Sequence, residues 1–323
     1  MQLPRIQYYT RQQIDSVKWD ACVNACESGL IYANSFFLDA MADNWHALVA
    51  GDYEEVMPLC FRKKWGITYL YQPFLLPVGG VFGKDISTKT VQHFLKAIPK
   101  SYRLWDFSFQ HHNHLPAACK IQFSRVNMIL PLQPSYTDLQ NQYSDNIHRN
   151  ISKAQKAGCY VHIASPETII DLCEKIYPSF TKIEAGAFER LRKQYALLQP
   201  YAKPYAVYAA NHQMLSACIF LIKNNRAYYW LAVNHAAAKD AGSSALLIDQ
   251  FIKDHAGKPL VLDFEGSDNK GIAHFYKQFG AVNEPFTTLF HNKLPFPFRH
   301  LLKTPAYYTK LVSEQLESLR PAE

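Results

Sequence analysis

The feature that most constrains this chain is that it repeats itself. The segment AVYAANHQMLSACIFLIKNNRAYYW, from Ala206, lies on ALVAGDYEEVMPLCFRKKWGITYLY, from Ala47, without a gap and at an offset of 159 residues. Further on, Phe94-Leu95-Lys96 matches Phe251-Ile252-Lys253 and Trp105-Asp106-Phe107 matches Leu262-Asp263-Phe264, both at an offset of 157. Landmarks that keep their spacing over such a stretch mark two copies of one plan rather than chance likeness. Each copy closes on an alternating segment ending in Leu-Pro, at Leu130-Pro131 and at Leu294-Pro295. With 323 residues the chain is long for one core and comfortable for two. The expectation is two domains, 1–135 and 136–323.

Within the first copy, residues 47–73 read as three strands joined by polar turns at Gly51-Asp52 and Lys64-Trp65-Gly66, a β-meander. After Pro77-Val78-Gly79-Gly80 the pattern predicts a helix over 88–98 and a strand over 102–107. Residues 14–27 and 35–46 read as two helices leading into this sheet. In the second copy a helix is expected before the strand Leu260–Phe264. That strand breaks at Glu265-Gly266-Ser267-Asp268. Ile272, Phe275, Tyr276 and Phe279 then recur at helical spacing, with Ser267 or Asp268 as N-cap and Gly280 as C-cap. In sheets of this kind ligands gather beyond the carboxyl ends of strands, so Glu265 to Lys270 is where a substrate is expected, the alternative being an ordinary solvated turn.

Between the copies, residues 144–158 predict a helix that places Arg149, Lys153 and Lys156 on one face and turns Ile147, Ile151 and Ala154 inward. The basic stripe is either an anion-binding face or a solvated one. Two more helices are expected within 166–199 and an amphipathic one over 305–319. A net charge of +7 favours anionic, phosphate-bearing partners without separating nucleotide, tRNA and membrane surface. Nothing in the sequence points to DNA. The seven cysteines are scattered, without a CxxC pair, and read as reduced buried thiols. His111-His112-x-His114 lacks the spaced partner pair of a metal site, so no metal is expected. No apolar leader or membrane span is legible, and the expected location is the cytoplasm. Hydrolase and NTPase readings lack their Gly-x-Ser-x-Gly and Gly-Lys-Ser/Thr motifs.

The order of meander, glycine-containing turn, helix, DF strand, helix and final strand resembles the GNAT acyltransferase unit, here present twice. Together with NIHRNISKAQKAG and LDFEGSDNKGIAHFYKQFGA, the arrangement resembles the Fem-type (FemABX-like) aminoacyltransferases. The resemblance implies an α+β protein of two tandem GNAT-like domains, with mixed sheets flanked by helices. It implies transfer of an acyl or aminoacyl group to an amine, as on a peptidoglycan precursor. No cofactor would be tightly bound; the donor, aminoacyl-tRNA or acyl-CoA, is a co-substrate. The partner is then a phosphate-bearing or nucleotide-linked amine.

The donor loop of GNAT units falls here on Lys239-Asp240-Ala241-Gly242-Ser243-Ser244, with Lys in place of Gln or Arg and Ser in place of the last Gly or Ala. Lys239, Gly242, Ser243 and Ser244 are thereby the donor candidates, by the logic of an anion at a helix N-terminus. The first copy departs further at this loop and is expected to bind no donor. The aromatic-Lys-x-Phe stretch of Fem proteins matches Tyr276-Lys277-Gln278-Phe279, which implies that Lys277 stabilises the tetrahedral intermediate. Glu265 or Asp268 would orient or deprotonate the amine. Arg149, Lys153 and Lys156 would face phosphates, and Tyr229 would line the substrate. An acyl-CoA N-acyltransferase for a small or lipid-linked amine, and a degenerate pair serving as a binding module, are the alternatives.

Overall fold

The computed structural model of the protein describes residues 4–26, 29–119, 121–181, 183–266, 268–296 and 298–301; the helix expected at 305–319 and Ser267 lie outside them. The chain forms two compact units, Met1–Arg125 with Pro285–Glu323, and Val126–Glu284.

In the first unit β1 (Ile6–Tyr9), β2 (Trp45–Ala50), β3 (Glu55–Lys64) and β4 (Ile67–Tyr71) pair antiparallel in sequence order, with β5 (Phe82–Gly83) beside β3. α1 (Ser16–Ala25) and α2 (Ser35–Met41) precede the meander. The second of these stops short of the expected residue 46 because Trp45 already begins β2. α3 (Thr88–Ala97) starts on the Ser87 side-chain cap and buries Val91, Phe94 and Leu95. It leads into β6 (Tyr102–Phe109), which runs parallel to β4, and β7 (Gln122–Arg125) is the far edge of the sheet.

The second unit opens with β8 (Met128–Pro131) and the short α4 (Tyr136–Gln140). α5 (Asp145–Lys156) follows, capped by Ser144, and buries Ile147, Ile151 and Ala154 as its spacing predicts. β9 (Tyr160–Ile163), α6 (Pro166–Ile176) and α7 (Ala187–Leu198) lead to β10 (Ala202–Tyr208), β11 (Met214–Lys223) and β12 (Arg226–Asn234). α8 (Ala238–Ala241) and α9 (Ser243–His255) carry the chain to β13 (Val261–Asp263), parallel to β12. α10 (Lys270–Lys277) and β14 (Val282–Asn283) complete the unit. β15 (Phe286–Asn292) then returns to the first unit's sheet.

The two sheets have one plan. Their orders are β1-β2-β3-β4-β6-β15-β7 and β9-β10-β11-β12-β13-β8-β14. The apolar landmarks Phe94-Leu95 and Phe251-Ile252, and Phe107 and Phe264, are buried in both copies, Phe94 and Phe251 fully. The plan also corrects the domain boundary read from sequence, because the closing segment of each copy sits in the other copy's sheet. β8 pairs with β13, and β15 is inserted between β6 and β7. Alternation correctly marks both segments as strands, but a period of two carries no record of which edge a strand joins.

Within the second unit Met128, Leu130 and Leu132 are buried to 0–1% exposure. Three such side chains are worth roughly 5–9 kcal/mol of burial, comparable with the whole stability of a domain. A fragment 126–284 is therefore expected to unfold cooperatively in urea, whereas 136–284, which lacks β8, is expected to show no cooperative transition by circular dichroism.

Candidate active site

β12 and β13 pair over three residues, Arg226 with Val261, Ala227 with Leu262 and Tyr228 with Asp263, and then part. β12 runs on to Asn234, and a register shift against β11 between Ile219 and Leu221 sits at its Tyr229-Trp230 step, where the parting begins. The first unit has the same parallel pair but fills the space beside β6 with its own chain. Gly79 N donates to Ser108 O (2.8 Å), Gln110 N to Gly79 O (2.9 Å) and Ser108 N to Gln72 Oε1 (2.8 Å). Asn113 accepts from Val81 N (2.6 Å) and donates to its carbonyl (3.0 Å). A Cβ on Gly80 would stand 2.2 Å from Asn113 Oδ1, so the glycine turn serves this closure.

At the parting point of the second unit, Asp263 ties three elements together. Arg226 Nε donates to its Oδ2 (2.7 Å), and the backbone N of Glu265 donates to its Oδ1 (2.8 Å). Arg226 also reaches Glu284, at the start of the chain's return to the other sheet. All three side chains are at least four-fifths buried. Burial works against the Arg226 charge, yet Asp263 and Glu284 outweigh it and raise the pKa of the guanidinium. The hydrogen bond from Glu265 N matters because Glu265 has φ +61°, a left-handed backbone that disfavours a side chain by roughly 1–2 kcal/mol. Asp263 holds it there, and burial pushes the Glu265 carboxyl well above the ordinary carboxylate range.

Next to Glu265, Phe264 and Tyr276 belong to a cluster of aromatic rings. Phe264 and Tyr276 stack at 4.2 Å, and Tyr229 meets both edge-on at 6.1 and 6.2 Å. The Tyr229 and Tyr276 hydroxyls make no hydrogen bond among the described residues, and neither oxygen is sealed from solvent. Tyr177 donates to Ala232 O of β12 (2.8 Å), beyond the point where β13 has turned away. Burial raises all three phenols, so they remain neutral donors at physiological pH.

The other residues singled out by sequence fall elsewhere. Lys277 is exposed, on a helix whose buried side carries Ala273 and Tyr276. Asp268 accepts from Val126 N (3.3 Å) and so fastens the turn to the strand entrance. The N-cap of α10 is Asn269, which accepts from Gly271 N and Ile272 N, rather than Ser267 or Asp268. Gly280 lies beyond the helix end at φ +87°, packed on Gln142.

The expected donor loop is the short helix α8 followed by Gly242. A Cβ on Gly242 would lie 2.3 Å from the Asn150 carbonyl, so α5 covers this helix start. Ser243 is fully buried, its hydroxyl 2.7 Å from Ser216 Oγ and 3.2 Å from Ala238 O. Ser244 donates to Asn234 Oδ1 (2.8 Å), and Lys239 is exposed. Arg149, Lys153 and Lys156 are exposed along a shallow depression with His148 and Ser152.

Of the residues singled out by sequence, Glu265 follows the end of β13 and Tyr229 meets Phe264 and Tyr276, while Tyr276, Tyr177 and the Arg226–Asp263–Glu284 cluster are not among them. Tyr276 was counted as an apolar helix position. Asp263 carried a signal in the repeated Asp-Phe pair.

The protein is an α+β chain of two GNAT-like units in tandem, each a mixed sheet flanked by helices. No protein-family model and no curated protein matches its sequence. Among solved structures it is similar to FemX, with a TM-score of 0.63 at 15% identity, over 93% of this chain and 100% of that one. It is also similar to a conserved protein of unknown function from Bacteroides thetaiotaomicron (TM-score 0.54, 12% identity, 89% and 99% covered). A third likeness is to the C-terminal domain of a putative lysylphosphatidylglycerol synthetase from Agrobacterium fabrum (TM-score 0.53, 10% identity, 94% and 95% covered). At these identities the likeness is one of fold.

Two outcomes follow from the buried charges. Asp263→Asn leaves Arg226 under-compensated, and urea denaturation is expected to show a loss of about 3–5 kcal/mol. Glu265, with its folded pKa raised, contributes stability that is complete below the ordinary carboxylate range and is lost as pH rises through the raised value. Glu265→Gln removes that loss. Its melting temperature should match wild type near about pH 4 and exceed it at about pH 8.

Proposed function

We propose that the protein is an acyltransferase of the Fem and GNAT type, in which the second unit passes an acyl or aminoacyl group to an amine. The observation that carries this reading is the desolvated Glu265 carboxyl at the parting of β12 and β13, near the neutral phenol of Tyr276, whose ring Tyr229 meets edge-on. A carboxyl with a raised pKa is a base matched to an amine near neutral pH. As the amine nitrogen attacks the donor carbonyl and the C–N bond forms, Glu265 takes its proton. The developing oxyanion accepts hydrogen bonds from the phenols, and collapse breaks the bond to the leaving group, which recovers the proton from Glu265. Positioning and fixed donors supply most of the rate.

The proposed donor is an aminoacyl ester on RNA rather than a thioester of coenzyme A. Supporting this, the start of α9, where a pyrophosphate would be seated, is covered by Asn150, and the Ser243 and Ser244 hydroxyls are spent internally. The proposed acceptor is a phosphate-bearing or nucleotide-linked amine, such as a peptidoglycan precursor, with Arg149, Lys153 and Lys156 meeting its phosphates. The Agrobacterium neighbour, named for a lysyl-lipid product, leaves a lipid-linked amine or hydroxyl as a second acceptor class. The first unit, its strand opening filled, is assigned no donor.

Calorimetric titration is expected to give heat with charged tRNA and none with coenzyme A; the reverse result would move the donor to the thioester. Glu265→Gln should lower kcat by about 10²–10⁴-fold. Tyr276→Phe should lower turnover more than Lys277→Ala, and the opposite order would return the oxyanion to Lys277. Affinity for donor and acceptor with no transfer under either donor would identify a binding module instead.

A further inference from the structure

The first unit carries a cavity of its own. A half-open cavity of about 790 Å³ lies among the end of α3, β6 and β15, within the usual size of small-molecule sites (roughly 300–1,000 Å³). Five cations line it, Lys96, Lys100, Arg103, Lys293 and Arg299, and among the described residues no carboxylate does. All five are exposed, and none has an acidic partner among the described residues. Five like charges around one concavity repel one another unless an anion enters.

A second observation points the same way. His291, stacked on Trp105 at 4.2 Å in the cavity wall, has a buried Nε2 without a hydrogen-bond partner. Burial first, then Lys293 and Arg299, depress its pKa, so the field of the cations is felt inside the wall. The fold does not require this cluster: the second copy has Leu260 and Leu262 where the first has Arg103 and Trp105.

We infer that this cavity is a second ligand site, which takes an oligophosphate, either free or carried by a nucleotide. The cations clamp the phosphates over the Trp105–His291 stack. The inference is independent of the transferase reading, because binding is measured without turnover.

The test is titration of the full chain with inorganic tripolyphosphate and with a nucleoside triphosphate, at low and moderate salt. Saturable binding that weakens as salt rises is expected. Arg103→Glu with Lys293→Glu should lower affinity by at least about tenfold. Lys96→Glu with Lys100→Glu, at exposed positions, should do the same with an unchanged melting temperature, and it serves if the first pair does not fold. Equal affinity for the two probes assigns the site to the free oligophosphate; at least tenfold preference for the nucleoside triphosphate assigns it to a nucleotide. Absence of saturable binding at low salt, binding confined to an RNA oligomer, or affinity untouched by the folded charge-reversed variants would overturn the inference.

Discussion

The second unit depends on one carboxylate. Asp263 ends the short strand it belongs to, neutralises Arg226 from the neighbouring strand, and accepts the backbone hydrogen of Glu265. Three things are thereby fixed at once: where β12 and β13 stop pairing, the left-handed turn that follows, and the direction in which Glu265 leaves it. A buried pair of this kind is weak evidence for stability, since desolvation consumes much of the attraction. Its worth here is geometric. Charge at Arg226 and Glu284 anchors the strand ends while the carboxyl two residues on is left to be desolvated.

The two copies make the meaning of that arrangement plain. They share strand order, a parallel pair in mid-sheet and an Asp-Phe step at the same place. In the first, β6 runs on through Ser108 and Phe109, and Gln72, Gly79 and Asn113 satisfy the backbone beside it. In the second, the corresponding strand stops and a glutamate takes the left-handed position. One unit uses the opening to hold itself together; in the other the two strands part at Glu265. The same divergence appears in reverse at the β6 and β15 face, where Trp105, His291 and five cations surround a cavity that Leu260 and Leu262 would make apolar.

Much of this was legible beforehand, for reasons that can be named. The repeat is a local property of sequence, and it fixed the meanders, the crossover helices and the Asp-Phe strands. The inward face of α5 follows from spacing, and Glu265 stands out because a strand ends before it. What was hidden was long-range or conformational. β8 and β15 alternate as strands should, but nothing in alternation says that each joins the sheet of the other copy. Lys277 is implied by the resemblance to the aromatic-Lys-x-Phe stretch, while Tyr276 reads as an apolar position of the same helix. A helix turns 100° per residue, so the neighbour in sequence is exposed and the tyrosine is buried against Phe264 and Tyr229. The serines after Gly242 looked like a phosphate cradle until Asn150 was found against the glycine.

The placement of β15 also sets the order in which the protein can be made. Its residues, Phe286–Asn292, form an inner strand of the sheet that begins with Ile6, so that sheet has a gap between β6 and β7 until the whole second unit has been translated. The segment from Val126 to Glu284 has every strand it needs before β15 is translated. The half translated second is thus the first able to reach its native state, and the half translated first must wait with two strand edges bare, a nascent chain in need of shelter.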